Sequence, residues 1–345
     1  MSAAQEASRR PKFALIAVLM FALLAVATGS AWLIVQQRRG PHDRGAELVE
    51  ELHERGLSAW WQRLPQARWS LVRRGGRTIG WQVQLRLPTD DGGFEGLTLR
   101  LLRGEAGSGG YWEHWALNDS ATAGEYRAGE IGISGDRTLT SNRTLIVLSE
   151  GVVRAEQTIR FRVSSRAPAP ENYAPEGTLP LLRRMAAEAG GEIAFRIVFN
   201  EQGPLGGRTS FGVFRMTARP PSEDERNEGA ARVVDAVQVY IDGSESEITY
   251  LLNEQGRTLS IIAGDTRTDG VEKSEVVAVF PESMDTVRKL SASLLQNLGA
   301  RSEMDQGFWE ELFSTQGPDA DSAPNSGEDN TPPTVEMEDA EAGSD

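Results

Sequence analysis

The apolar and polar positions of this chain fall into three patterns: one unbroken apolar run, a long body of mostly two-residue alternation, and a polar end. The apolar run, Phe13 to Val35, is 23 residues long and is flanked by Arg9, Arg10 and Lys12 on one side and by Arg38, Arg39 and Arg44 on the other. A helix of that length, at about 1.5 Å per residue, measures roughly 34 Å and suffices to cross a hydrocarbon core of roughly 30 Å. A cleaved signal peptide is the competing reading, since Ala27, Gly29 and Ala31 supply small residues for a peptidase. However, Trp32 to Val35 carry the run past that point, which favours an uncleaved single-pass anchor over residues 13–35. The three basic residues on each side leave the positive-inside rule undecided. The short N-terminal end ahead of a large domain points to an extracytoplasmic body, with secretion after signal cleavage as the alternative.

After the anchor, Ala46, Val49, Leu52, Leu57 and Trp60 recur near helical spacing and predict a helical connector over 44–64, weakened at Gly56 and ended by Pro65. The period then changes to two. Trp69 and Leu71 alternate with Ser70 and Val72 up to Gly75-Gly76, and the return run places Ile79, Trp81, Val83, Leu85 and Leu87 on one face. Gly-Gly supplies the positive φ of a two-residue hairpin turn. Similar runs follow at 97–102, 144–148, 152–161, 192–199, 209–217, 233–241, 247–252, 258–262 and 275–280. About a dozen strands joined by short turns, without βαβ spacing, predict an antiparallel sheet.

Three further helices are expected at 175–189, 283–298 and 303–313, each with an apolar stripe suited to covering one face of the sheet while the other is curved or solvated. A weak internal echo, Arg77 to Trp81 against Arg208 to Gly212, each followed by a Leu-rich helix, suggests a β-rich domain over 66–300 built of two similar halves. The expected fold class is mainly β (α+β), with the N-terminal helix, a curved antiparallel sheet covered by a few helices, a short helix at 301–314, and an acidic tail at 315–345.

Three segments carry a family resemblance: Gly76 to Trp81 at a strand start, Tyr173-Ala174-Pro175-Glu176-Gly177 before a Leu-rich helix, and Tyr250 to Ile261, a strand, turn and strand. Over residues 69–280 the order of elements resembles bacterial envelope proteins of the lipoprotein-carrier type and related domains of unknown function. The resemblance implies a half-open barrel with helices in its mouth, and it transfers no ligand contact to a residue of this chain.

Charge alters the picture only at the end. The net charge is -14, and nine acidic residues with no Lys or Arg lie between Gly317 and Asp345. With four prolines and few large apolar side chains, that tail reads as disordered. The body has no basic stripe, so no nucleic-acid partner is expected. Only three of the 36 basic residues are lysine, a composition that suggests a high-GC bacterial source. The absence of cysteine excludes thiol catalysis and cysteine-ligated zinc.

Candidate chemistry is sparse. His42, His53 and His114 form no metal-ligand spacing, no Gly-x-Ser-x-Gly is present, and the glycine stretches at 104–110 and 203–207 lack the ending of a phosphate loop. No catalytic residue, cofactor or metal is therefore assigned. One cluster stands out, because six of the eight tryptophans lie between residues 60 and 115. If Tyr111 to Trp115 is a strand, Tyr111, Glu113 and Trp115 share one face and Trp112 and His114 the other. Trp81, Tyr111, Trp112, His114 and Trp115 are the candidate ligand-facing residues of a concave sheet. The expected function is non-enzymatic binding of an apolar ligand or an envelope protein. Its alternatives are a structural or assembly subunit of an envelope complex, and a hydrolase using carboxylates in the concavity.

Overall fold

A computed structural model of the chain describes residues 40–281, apart from 105–106, 135–136, 159–161, 200–209 and 241–242. The expected anchor, the helices at 283–298 and 303–313, and the acidic tail lie outside the described residues. Among the described residues, no helix is long and apolar enough to cross a membrane.

The fold is mainly β, one antiparallel sheet with few helices. Helix α1 (Pro41–Arg55) leads through a 3-10 turn (Leu57–Ala59) into β1 (Gln66–Arg74), β2 (Arg77–Pro88), β3 (Phe94–Gly104), β4 (Gly107–Leu117), β5 (Gly124–Ser134), β6 (Arg137–Ser149), β7 (Val152–Thr158) and β8 (Arg162–Pro168). A second 3-10 turn (Glu176–Thr178) and α2 (Leu179–Ala189) precede β9 (Gly191–Phe199) and β10 (Ser210–Arg219). After α3 (Glu223–Asn227) come β11 (Arg232–Val239), β12 (Glu245–Leu252), β13 (Thr258–Ala263), β14 (Thr266–Val271) and α4 (Lys273–Val279). The strand order is β8-β7-β6-β5-β4-β3-β2-β1-β14-β13-β12-β11-β10-β9, so the first and last strands meet at the centre of the sheet. The β1–β2 hairpin turns on Gly75 and Gly76, with φ of 53° and 77°, the left-handed pair a tight turn requires.

Register sorts the side chains into two faces. Trp69, Val83, Leu99 and Trp112 stand opposite one another across β1 to β4, as do Leu71, Trp81 and Leu101. Between these rows run Ser70, Gln82, Arg100 and Tyr111 on the opposite face, which continues beyond the Trp69 row with Arg68, Gln84, Thr98 and Glu113 and then Gln66, Arg86, Gly96, Trp115 and Tyr126. This second face also carries Phe94 and Leu117, which join one buried cluster with α1, α2 and the inward residues Phe195, Phe214, Val234 and Tyr250 of β9 to β12. Strands far apart in sheet order touch the same helices with the same face, so the sheet rolls around them and this face is the inner one. At the ends the roll overlaps: Ile146, Leu148, Val153 and Ala155 of β6 and β7 pack with Val198, on the outer face of β9.

The overlap also seals an edge. Tyr173 bridges Arg196 in parallel, with Arg196 N donating to Asn172 O at 2.8 Å and Ala174 N to Arg196 O at 2.8 Å. Asn172 Nδ2 adds a bond to Ala194 O at 3.0 Å. An open row of backbone donors and acceptors, a template for unwanted pairing, is covered here by the chain's own residues.

Two expectations are corrected. Residues 275–280 are not a strand: α4 occupies the segment, with Glu275 and the Glu272 backbone in a reciprocal cap, and Val276 and Phe280, four apart, packed under the outer face. Nor is the outer face simply solvated, because Trp69, Trp81, Leu99 and Trp112 are buried there.

Helix α1 lies against β9 at Gly45, where a Cβ would come within 2.0 Å of the Ala194 carbonyl oxygen. Backbone cannot yield as a flexible side chain does. Gly45→Ala is expected to destabilise the full-length chain by about 1–3 kcal/mol in urea unfolding despite its better helix propensity. Unchanged stability would show that the helix can stand off the strand.

Candidate functional site

The inner face of β3 to β5 is lined by aromatic and carboxylic side chains. Trp115 is slotted between two glycines, since a Cβ on Gly96 or on Gly177 would approach its ring to 2.2 and 2.5 Å. Trp61 stacks beside it at 5.6 Å between ring centroids and meets Phe94 edge-on at 5.3 Å. The Arg86 guanidinium lies 4.5 Å from the Trp61 ring centroid, a cation–π contact. What holds Trp61 there is the preceding loop: Leu57 N donates to Asp119 O at 2.6 Å, and Ser58 N and Oγ donate to the Asp119 carboxylate at 2.8 and 3.0 Å.

Glu113 and Tyr111 follow Trp115 inward along β4. The Tyr126 hydroxyl donates to Glu113, and Arg100, opposite Tyr111, lies 5.8 Å from its ring centroid and bonds its oxygen. The 3-10 turn adds Glu176, to which the Tyr173 hydroxyl donates, while Glu176 Oε1 has no hydrogen-bond partner. Burial raises the Glu113 carboxyl above its ordinary range, against the Tyr126 bond and the Arg100 charge. Burial also pushes Glu176 up to about 8, with the Glu113 charge adding to the effect. At neutral pH Glu176 therefore holds its proton beside Glu113, and the two titrate as a coupled pair. Tyr126 and Tyr173 are held well above their usual range by burial and by these carboxylates.

Tyr111, Glu113, Trp115, Tyr126 and Glu176 nevertheless each keep part of their surface accessible. The titratable groups among them are thus desolvated by the surrounding protein although the residues are not fully covered.

A basic group adjoins them. Arg68 of β1 and Arg86 of β2 are diagonal neighbours on the inner face, because Arg68 is opposite Gln84 and Arg86 is two positions on. Arg183 of α2 donates to Thr258 Oγ1 at 2.8 Å and lies 4.0 Å from the Tyr250 ring centroid. Arg257 is next to Thr258. Burial, together with the nearby charges of Arg183 and Arg257, lowers Arg68 to about 10, and burial with the Arg257 charge lowers Arg86 to about 10.

Of the sequence candidates, the structure brings Tyr111 and Trp115 together on the inner face, as the alternation anticipates. It places Trp81, Trp112 and His114 on the outer face. Trp81 and Trp112 are fully enclosed, with Trp112 Nε1 donating to Ser141 O at 3.2 Å. His114 Nε2 lies 2.6 Å from Glu95 Oε1 in a buried pair. Sequence reasoning missed Tyr126, Tyr173, Glu176 and the four arginines. The one available signal was the run of polar residues Arg68, Ser70, Gln82, Gln84 and Arg86 at even-numbered positions, in strands whose other face is mostly aromatic and aliphatic. Among the described residues no metal-binding cluster of His, Cys, Asp or Glu occurs.

No family model matches the chain, and no curated protein matches it. Among solved structures, it is similar to a beta-barrel-like protein of the domain of unknown function DUF1849 from Brucella abortus. The identity is 11% and the TM-score 0.40, over 61% of this chain and 96% of that one.

Proposed function

We propose that the rolled sheet is a binding chamber for a ligand with a substantial apolar part, held at a membrane by residues 13–35 and facing away from the cytoplasm. The observation that carries the reading is the inner-face set of Tyr111, Trp115 and Tyr126, enclosed but not fully covered and flanked by Trp61 and Phe94. Aromatic faces of this kind provide large apolar contact area at low entropic cost, and the few polar groups among them fix orientation. The chamber needs no chemistry to act, so the protein is read as a binder rather than an enzyme.

Native mass spectrometry of the full-length chain in neutral detergent, with added monolauroylglycerol, tests this. One-to-one retention, weakened about tenfold by Trp115→Ala, is the expected result, in line with the loss of roughly 1.4 kcal/mol of aromatic contact. No retention by the wild-type chain overturns the chamber. The tether is checked separately by a reporter fused after Asp345, expected to be active only outside the cytoplasm. It is checked also by the mature N-terminus, which near Trp32 would replace the anchor with a signal peptide.

The coupled carboxyls favour one second reading. A protonated Glu176 beside Glu113 offers the acid and base asymmetry that hydrolases use. Ester or glycoside hydrolysis abolished by both Glu113→Gln and Glu176→Gln would favour it over a pure binder.

A further inference from the structure

We propose that Arg68, Arg86, Arg183 and Arg257 form a seat for the oxyanion headgroup of an anionic amphiphile whose apolar part lies on Trp61 and Trp115. The inference rests on the chamber reading and names the class of ligand that would fill it.

The four arginines come from four separate elements: β1, β2, α2 and the turn before β13. The roll of the sheet brings them to one place on the inner face. Among the described residues, none of the four is paired with a carboxylate, although ion pairs occupy the arginines of the outer face, such as Arg219 with Glu225 and Asp235, and Arg267 with Glu228 and Asp269. Their donors are only partly spent, with Arg183 bonding Thr258 Oγ1 and the Tyr250 side chain. Arg183 is 9% exposed, and its Nε and the Nε of Arg86 are buried without a hydrogen-bond partner. Arg86 reaches Gln66 with one nitrogen only, and the Arg68 side chain has no hydrogen bond among the described residues.

Like charges brought together and desolvated oppose folding, so the arrangement is stabilised when an anion enters. Guanidinium groups suit that task, since each presents a planar fork of donors to two oxygens at once. The rest of the ligand follows from position. Arg86 itself covers the Trp61 ring, so an oxyanion bound at Arg86 sets its attached chain against Trp61 and, next to it, Trp115. The acidic groups of the chamber, Glu113 and Glu176, lie on β4 and the 3-10 turn, and the arginine charge beside Glu113 is Arg100 rather than one of the four. A small free anion would use the arginines and leave the aromatic wall idle, whereas an amphiphile uses both.

The experiment compares three probes on the full-length chain in neutral detergent by native mass spectrometry: lauryl phosphate, monolauroylglycerol and inorganic phosphate. Lauryl phosphate is expected to bind at least tenfold more tightly than monolauroylglycerol and at least a hundredfold more tightly than inorganic phosphate. Arg68→Gln and Arg257→Gln should each weaken lauryl phosphate about tenfold and leave monolauroylglycerol unchanged. Arg257 is exposed, so its substitution keeps the test open if Arg68→Gln fails to fold. Lauryl phosphate binding no more tightly than monolauroylglycerol overturns the seat while the chamber stands. Inorganic phosphate binding as tightly as lauryl phosphate overturns the amphiphile and leaves a site for free anions. If neither lipid is retained, the chamber falls and the seat with it.

Discussion

Glu176→Gln is expected to raise the stability of the folded chain by about 2–4 kcal/mol at pH 9 and to change it little at pH 4. The sign follows from the carboxyl's two environments. Its pKa is 4.5 when exposed and about 8 when folded. Below pH 4.5 both states hold the proton and folding carries no penalty. Between pH 4.5 and 8 the unfolded chain releases a proton that the folded chain keeps, so stability falls as pH rises, by up to about 1.4 kcal/mol per unit. Above pH 8 the loss is complete. The full span of the shift would correspond to roughly 5 kcal/mol, and the partial solvent access of Glu176 reduces it to the range given. Gln is nearly isosteric and has no proton to lose, so the variant's stability should be nearly flat over that interval, apart from the residual titration of Glu113. Urea midpoints of both proteins at pH 4, 7 and 9 provide the measurement. A wild-type chain equally stable at pH 5 and pH 9 would mean that Glu176 is solvated.

The second large effect belongs to the outer face. Trp112→Ala should cost about 3–5 kcal/mol, because a fully enclosed indole is removed from a cluster that includes Leu99, Val83 and Trp69 and cannot close over the space. Trp112→Phe refills most of the volume but leaves Ser141 O without its indole donor, and should cost about 1–2 kcal/mol. Trp115→Ala, three residues away on the inner face, is the informative contrast: it should affect ligand retention more than stability. Trp112→Ala affecting retention while leaving the unfolding midpoint unchanged would refute the assignment of the two faces.

Alternation alone assigns residues 111, 113 and 115 to one face and 112 and 114 to the other, but it does not say which is inner, and so Trp81, Trp112 and His114 count among the ligand-facing candidates of the sequence although they are buried on the outer face. The Gly-Gly hairpin, the apolar face of β2 and the antiparallel class were plain, because each is written in neighbouring residues. Curvature is not written that way. Arg68 and Arg86 occupy a polar face that, in a flat sheet, would be wet. Only the packing of Phe94 and Phe195 against the same helices turns that face inward. Residues 275–280 misled for a related reason, since a short run of valines fits a strand as well as one helical turn, and the reciprocal Glu272–Glu275 cap decided it. Glu176 was hidden in a turn whose role depends on Glu113, 63 positions earlier, as well as on the neighbouring Tyr173.

The central position of β1 has a consequence for how the chain is made. Its partner on one side, β14, is the last strand among the described residues, as the link from Arg73 to Asp269 across 196 positions shows. At about 5–20 residues per second, synthesis of the intervening chain takes roughly 10–40 s. Throughout that time one edge of β1 has no strand to receive it, and the α4 that packs beside Leu71 does not yet exist. The strand in the middle of the finished sheet is therefore the first of the described strands to be made, and one of its edges is among the last to be paired. Until β14 and α4 are made, Trp69 and Leu71 lack the neighbours that bury them in the finished sheet.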